Sequence, residues 1–239
     1  VNVDFWKARW VQGRIGFHRD DVQPHLTAHI SRWLNVAPGQ AKPLSGLRLL
    51  VPLCGKSVDL WWLAQQGARV TGVEFVEQAA RAFFQEHSLQ CSVDEVHGVK
   101  VLRSLERDLA VEIYVADFLS TSPDVLGSFD GVYDRAGLIA VEPAVRTNYA
   151  AQLAALSRPK GRLLLVTFEH HAGSGPPHSV PPSETRRLLD ADFTLELVAT
   201  HHLDEARYQA FGSTHEHIWV GTRQGLSHPS FTREPHGNA

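Results

Sequence analysis

The sequence predicts an α/β fold built on a doubly wound, mostly parallel sheet, and three observations point there. Residues 47 to 74 run from an apolar segment through a Gly-containing turn, a helical stripe and a second apolar segment to a terminal acid, the order of one βαβ half-unit. Helix-like and strand-like stretches keep alternating as far as residue 222. The 239 residues suffice for one sizeable core and contain nothing resembling a linker, so a single domain spanning 1–239 is expected.

Residues 1–20 carry Phe5, Trp6, Trp10, Ile15 and Phe17 ahead of the first core strand. Trp6 and Trp10, four apart, share one face of a helical turn. Residues 24–34 read as a helix opened by Pro24, and 35–46, with two prolines and two glycines, as a loop. Leu47 to Pro52 is nearly continuous in apolar character, as suits a parallel strand covered on both faces. The chain turns at Cys54-Gly55, and Val58, Leu60, Trp61, Trp62 and Leu63 form a helical stripe with Gly67 at its C-cap. Arg69 to Glu74 is the second strand.

A helix over about 77–87 follows, then short strands near 99–103 and 109–116, a strand at 129–134, a helix at 143–157 and an apolar strand at 162–168. The remaining pieces are a helix at 183–190 and strands at 194–202 and 216–222, the last two forming an antiparallel hairpin at one edge. The polar tail at 226–239 is expected to be flexible.

Net charge is −3 with well-mixed signs, so no basic stripe for nucleic acid and no polybasic membrane patch is present. No apolar run reaches the length of a membrane span, and Cys54 and Cys91 cannot build a disulfide framework. These features suggest a reduced, cytoplasmic protein with a small-molecule partner; a monomer is expected, although no feature of the sequence fixes the oligomeric state. Met is absent even at position 1, so the chain is expected to begin after a removed start residue.

Glu74 lies 19 residues beyond Gly55, at the end of the second strand, where a carboxylate can accept hydrogen bonds from both hydroxyls of a ribose. Gly-Lys-Ser at 55–57 matches the end of a phosphate-binding P-loop, but that motif needs Gly where this chain has Leu50. A dinucleotide site needs three glycines and only Gly55 is present. A cofactor with a ribose and no phosphate fits better, and S-adenosylmethionine is the common one.

Five segments then make the chain resemble the thiopurine S-methyltransferase family: W-K-A-R-W-V-Q-G-R-I-G-F-H at 6–18, V-P-L-C-G-K-S-V-D-L at 51–60, G-V-E at 72–74, F-D-G-V-Y-D-R-A-G-L-I-A at 129–140 and G-P-P-H-S-V-P at 175–181. The resemblance implies the seven-stranded, Rossmann-like fold of class I S-adenosylmethionine-dependent methyltransferases. It implies that an aromatic arm of Trp6, Trp10 and Phe17 covers the cofactor as a lid, excluding water and offering cation–π attraction to a sulfonium. Leu53 would approach the cofactor's amino-acid part through its backbone, and Asp117 and Phe118 would meet adenine. Arg135 would bind either the cofactor carboxylate or an anionic acceptor. Arg207, in E-A-R-Y-Q-A-F-G, aligns with a second arginine near the acceptor site. One departure is His178, where bacterial members resembling this chain usually carry Phe after the two prolines, which bears on the acceptor pocket.

Other chemistries have less support. The 14 histidines include His215 and His217 on one strand face, but no Cys-x-x-Cys or His-Glu-x-x-His accompanies them, so no metal is expected. No G-x-S-x-G marks a serine nucleophile, and the loop around Gly173-Ser174-Gly175 reads instead as a rim of the acceptor pocket. The expected reaction is methyl transfer to the sulfur of an aromatic or heterocyclic thiol such as a thiopurine, with Arg135 and Arg207 as catalytic residues. The alternatives are a selenium or tellurium acceptor, a cofactor-binding module without turnover, and a dehydrogenase.

Overall fold

The computed structural model describes residues 3–225 except 38, 172 and 174. The tail at 226–239 lies outside the described residues. Helix α1 (Val3–Val11) and helix α2 (Pro24–Leu34) precede the sheet. Pro24 occupies the first turn of α2, where its missing N–H is not needed, and Asn35 closes the helix in the left-handed region at φ 54°.

The first βαβ unit is strand β1 (Arg48–Pro52), helix α3 (Val58–Gln65) and strand β2 (Arg69–Val73). Ser57 caps α3 by accepting from the Asp59 N–H, which gives the serine of the Gly-Lys-Ser run a structural role. Gly67, at φ 95°, turns the chain out of α3. Helix α4 (Glu77–Glu86), strands β3 (Cys91–Val96), β4 (Val99–Ser104) and β5 (Val111–Tyr114), and the short helix α5 (Pro123–Leu126) follow. Next come β6 (Phe129–Asp134), short α6 (Gly137–Ala140), α7 (Arg146–Leu156), β7 (Ser157–Glu169), α8 (Pro182–Leu189), β8 (Phe193–His202) and β9 (His215–Arg223).

The strands lie in the order β3-β4-β5-β2-β1-β6-β7-β9-β8. The five from β5 to β7 are parallel, and antiparallel pairs flank them on both sides. The doubly wound fold and the β8–β9 edge hairpin agree with the sequence reading. The strand count is nine among the described residues, because a second hairpin, β3–β4, extends the opposite edge. Its turn is His97-Gly98, both at positive φ (50° and 78°), a two-residue connection whose twist matches paired strands. β3 escapes a sequence search because none of its residues is buried and they lack a clear apolar alternation.

Period-2 alternation along the central strands feeds two cores. Leu49, Val51, Leu164 and Val166 pack with α2, α3 and α4 on one face. Leu50, Leu163, Leu165 and Trp219 pack with α7 and α8 on the other. The segment before α2 is tied to this frame by buried Asp59, which accepts from the Gln23 N–H at 2.8 Å and from the Tyr133 hydroxyl at 3.0 Å.

The direction of winding reverses between β1 and β6, since β1 neighbours β2 on one side and β6 on the other. A crevice opens outside the carboxyl ends of the strands at such a point.

Candidate cofactor and acceptor cleft

A cavity of about 500 Å³ occupies that crevice. Its wall follows the strand order: Glu74 just beyond β2, Leu53 to Ser57 beyond β1, Arg135 beyond β6, Phe168 at the end of β7 and Glu216 on β9. Neighbouring strands lie roughly 4.8 Å apart, so Glu74 and Glu216 stand at opposite ends of one slot.

At the first end the turn after β1 is held tightly. A Cβ on Gly72 would lie 2.6 Å from Cys54 Sγ and 2.9 Å from Leu60, so β2 can press against the turn only without a side chain. Leu53 adopts φ 47°, a left-handed conformation rare for a branched residue, and backbone outliers of this kind collect at ligand sites. Glu74 is 6 % exposed and accepts from the Gly55 N–H at 2.9 Å and the Val76 N–H at 2.8 Å. Burial pushes its carboxyl up to about 7, although the Val76, Gly55 and Phe75 N–H groups pull the other way. Burial, with the Glu74 charge beside it, also pushes the Cys54 thiol well up, which leaves Cys54 a packing residue rather than a nucleophile.

The aromatic arm closes over this end. Trp6 and Trp10 each meet Phe17 edge-on, with ring centroids 5.4 and 5.9 Å apart, and all three line the cavity. Trp10 is buried against Val76 and Ala79, and its ring lies 3.1 Å from where a Gly55 Cβ would stand. Arg9, which the sequence reading passed over, also lines the cavity, with its Nε buried and lacking a hydrogen-bond partner.

Arg135 sits midway and fastens the arm by donating to the Phe17 carbonyl at 3.2 Å. It follows Asp134, which is wholly buried and accepts from the Gly137 N–H at 2.8 Å and the Tyr149 hydroxyl at 2.9 Å. Burial pushes Asp134 up to about 6. Its role is to shape the β6–α6 turn that carries Arg135.

The far end is apolar and aromatic: Ile139, Ala140, Phe168, Pro176, Pro177, Tyr208 and Phe211. Phe168 meets Tyr208 and Phe211 at ring distances of 5.6 and 5.7 Å. The Pro-rich loop therefore rims the cavity through its two prolines. Glu216 completes the wall, its Oε2 held by His25 Nε2 at 3.0 Å. It was legible only indirectly: if His215 and His217 share a strand face, the residue between them must face the other way.

Three positions named from the sequence lie elsewhere. Asp117 caps a 3-10 turn by accepting from the Leu119 N–H, and Phe118 is buried in the second core against Tyr149, so neither side chain lines the cavity. His178 turns away as well. Its N–H donates to the Ile139 carbonyl at 2.7 Å and its Nε2 lies 3.7 Å from Glu142, so the change from Phe leaves this wall intact. The backbone of Arg207 runs in the 3-10 turn Ala206–Phe211 beside Tyr208 and Phe211, and its side chain lies outside the described residues. No group of three or more His, Cys, Asp or Glu among the described residues is placed to hold a metal.

The first end suits an adenosine cofactor bearing a sulfonium. Glu74 offers a carboxylate for ribose hydroxyls, the arm offers an aromatic cover, and the unsatisfied Arg9 Nε offers a donor for an amino-acid carboxylate. A single turn glycine supplies no nest of N–H groups for a pyrophosphate.

The sequence model of the family described as Thiopurine S-methyltransferase (TPMT) matches residues 1–224. Similar relatives include the thiopurine S-methyltransferases of Azotobacter vinelandii, 42% identical over 202 residues (83% of this chain, 86% of the relative), and of Pseudomonas paraeruginosa, 39% identical over 198 residues (82% and 85%). Among solved structures, the fold is similar to Burkholderia thailandensis 1,6-didemethyltoxoflavin-N1-methyltransferase with bound S-adenosylhomocysteine, at a TM-score of 0.63 and 19% identity, covering 93% of this chain and 87% of the other. Magnesium protoporphyrin IX methyltransferase from Synechocystis PCC 6803 with bound S-adenosylmethionine gives 0.57 and 18%, covering 93% and 92%.

Proposed function

The chain belongs to the thiopurine S-methyltransferase family, whose members use S-adenosylmethionine as methyl donor, and from that premise we propose that it methylates the sulfur of aromatic or heterocyclic thiols. The observation that carries this reading is the single slot that joins Glu74, at the cofactor end, past Arg135 to the aromatic corner of Phe168, Tyr208 and Phe211. Aromatic rings suit a flat acceptor, and Arg135, midway along the slot, supports a role in holding negative charge on its sulfur.

The bound cofactor supplies an electrophilic methyl group. The chain's own residues have the remaining tasks. Glu74 anchors the ribose, the Trp6, Trp10 and Phe17 cover excludes water, and the fixed slot aligns the acceptor for in-line displacement. Arg135 favours thiolate over thiol. Each unit by which it lowers the thiol pKa is about 1.4 kcal/mol, and an ordinary thiol near pKa 8.5 is only a few per cent ionised at neutral pH. Arg207 is assigned a similar role on the family resemblance alone.

A panel of thiols and selenols of graded acidity, assayed with labelled cofactor and with products identified by mass spectrometry, tests the reading. S-methyl products are expected. Arg135→Met should slow weakly acidic thiols more than acidic aromatic ones, which are already ionised. Equal losses across the panel, with a parallel fall in cofactor affinity, would assign Arg135 to the cofactor instead. No transfer to any thiol would overturn the proposal.

A further inference from the structure

Glu216 has no task in the reaction as so far described, yet it is the one acid on the acceptor wall among the described lining residues. It stands on β9 with Phe168 as its paired neighbour on β7 and His201 as its paired neighbour on β8. His25 of α2 holds Oε2 at 3.0 Å, and His25 stacks on His201 with ring centroids 4.8 Å apart. The other charges facing it are Arg135, across the cavity, and Arg19, from the segment before α2. Burial pushes Glu216 upward, but the His25 hydrogen bond and the charges of His25, Arg135 and Arg19 hold it below the usual range, so it is ionised near neutral pH. A carboxylate has about four lone-pair sites, and His25 uses one of them.

A carboxylate beside a thiolate site is unfavourable for simple arenethiols, because it offsets the help that Arg135 gives. It becomes useful for one class of acceptor. Heteroaromatic rings in which the sulfur-bearing carbon adjoins a ring N–H exist largely as the thione, with a neutral sulfur and an acidic N–H. We propose that Glu216 is a specificity residue that accepts this ring N–H and takes its proton as the sulfur is methylated.

The inference rests on the sulfur-acceptor reading and balances as follows. The C=S pair forms the new S–CH₃ bond while the methyl–sulfonium bond breaks, leaving a neutral thioether on the departing cofactor. The ring N–H bond gives its electrons to the ring, C–N becomes C=N, and the proton passes to a Glu216 oxygen. The proton then leaves Glu216 for solvent water as the methylated product departs. Arg135 faces the sulfur and Glu216 the nitrogen, so the two charges read the two ends of one thioamide group.

The probes are an unreactive lactam, the oxygen counterpart of such a thione, and its N-methyl derivative, titrated calorimetrically into protein saturated with S-adenosylhomocysteine. Wild type should bind the N–H lactam at least tenfold more tightly than the N-methyl form. Glu216→Gln and Glu216→Ala should shrink that ratio several-fold while binding S-adenosylhomocysteine as wild type does, which also establishes that they fold. In turnover, the loss on an N–H thione should exceed the loss on a carbocyclic arenethiol of matched pKa by at least tenfold. An unchanged lactam ratio, or equal losses on both acceptors, would make Glu216 merely an anchor for α2. If wild type methylates neither acceptor, the thiol reading fails, and the lactam ratio still decides the role of Glu216.

Discussion

In the proposed reading Glu74 carries the ribose contact at the cofactor end of the cavity. Its two oxygens already accept from Gly55 and Val76, so its orientation is set before any ligand arrives. Glu74→Gln should weaken S-adenosylhomocysteine binding by roughly 1 to 3 kcal/mol, the scale of charge-assisted hydrogen bonds to hydroxyls. Because its carboxyl titrates at about 7 in the free protein and the ionised form is the better acceptor, wild-type affinity should rise as pH increases through that value. The variant should lose the slope. Titrations between pH 5.5 and 8.5 check both effects, and a wild-type affinity independent of pH would place the ribose elsewhere. Leu53 and Gly55, both at positive φ, shape the turn at the same place.

At the scale of elements, α1 and the β1–α3 turn carry the site between them. The arm is seated by Trp10 on Val76, Ala79 and the Gly55 backbone, and by Arg135 on the Phe17 carbonyl. Trp10→Ala should therefore raise the cofactor dissociation constant and lower amide protection across residues 3–18. Hydrogen exchange with and without S-adenosylhomocysteine measures both, and equal protection in the two states would argue against a lid that tightens on the ligand. The turn depends in its own way on Gly72. Gly72→Ala would crowd Cys54 Sγ and Leu60 and should destabilise the protein by roughly 1 to 3 kcal/mol, as overpacked cores do. Denaturant unfolding reads that loss, and a variant as stable as wild type would mean the turn has room to move.

For the whole molecule, two buried acids tie stability to pH. Glu74 is raised from 4.5 to about 7 and Asp134 from 3.8 to about 6, so the folded state binds their protons more tightly than the unfolded chain does. Their contribution is fully present below the unfolded pKa values and is lost as pH rises through the folded ones, on the order of 3 kcal/mol for Glu74. Glu216 is lowered and works in the opposite sense, losing its contribution only as pH falls below the ordinary carboxylate range. Burial lowers His18, His29, His87 and His178, whose contributions grow as pH rises toward neutral and oppose this loss, so Glu74 is read by difference: between about pH 4.5 and 7.5 the melting temperature of wild type should fall relative to that of Glu74→Gln, and parallel curves would refute it. The α/β class, the βαβ unit and Glu74 were legible because they follow from periodicity and from one acid at a fixed distance beyond a turn, both local properties of the chain. Trp6, Trp10, Phe17 and Arg135 were placed by motif resemblance, and the fold brings them to one cavity. Asp117 and Phe118 looked equivalent in the sequence, yet the first caps a turn and the second fills the core. Arg9, Tyr208 and Phe211 lie inside segments that the sequence reading quoted and Phe168 ends an expected strand, yet nothing local marked them as cavity residues; Glu216 was reachable only through the alternation of its neighbours, and β3, unlike β4, lacked the apolar alternation that marks a strand. Which strands become neighbours, and so which of these side chains face one slot, is decided by pairings between residues as distant as Phe168 and Glu216. No window along the sequence contains that information, because long-range pairing is a property of the closed sheet and not of any segment in it.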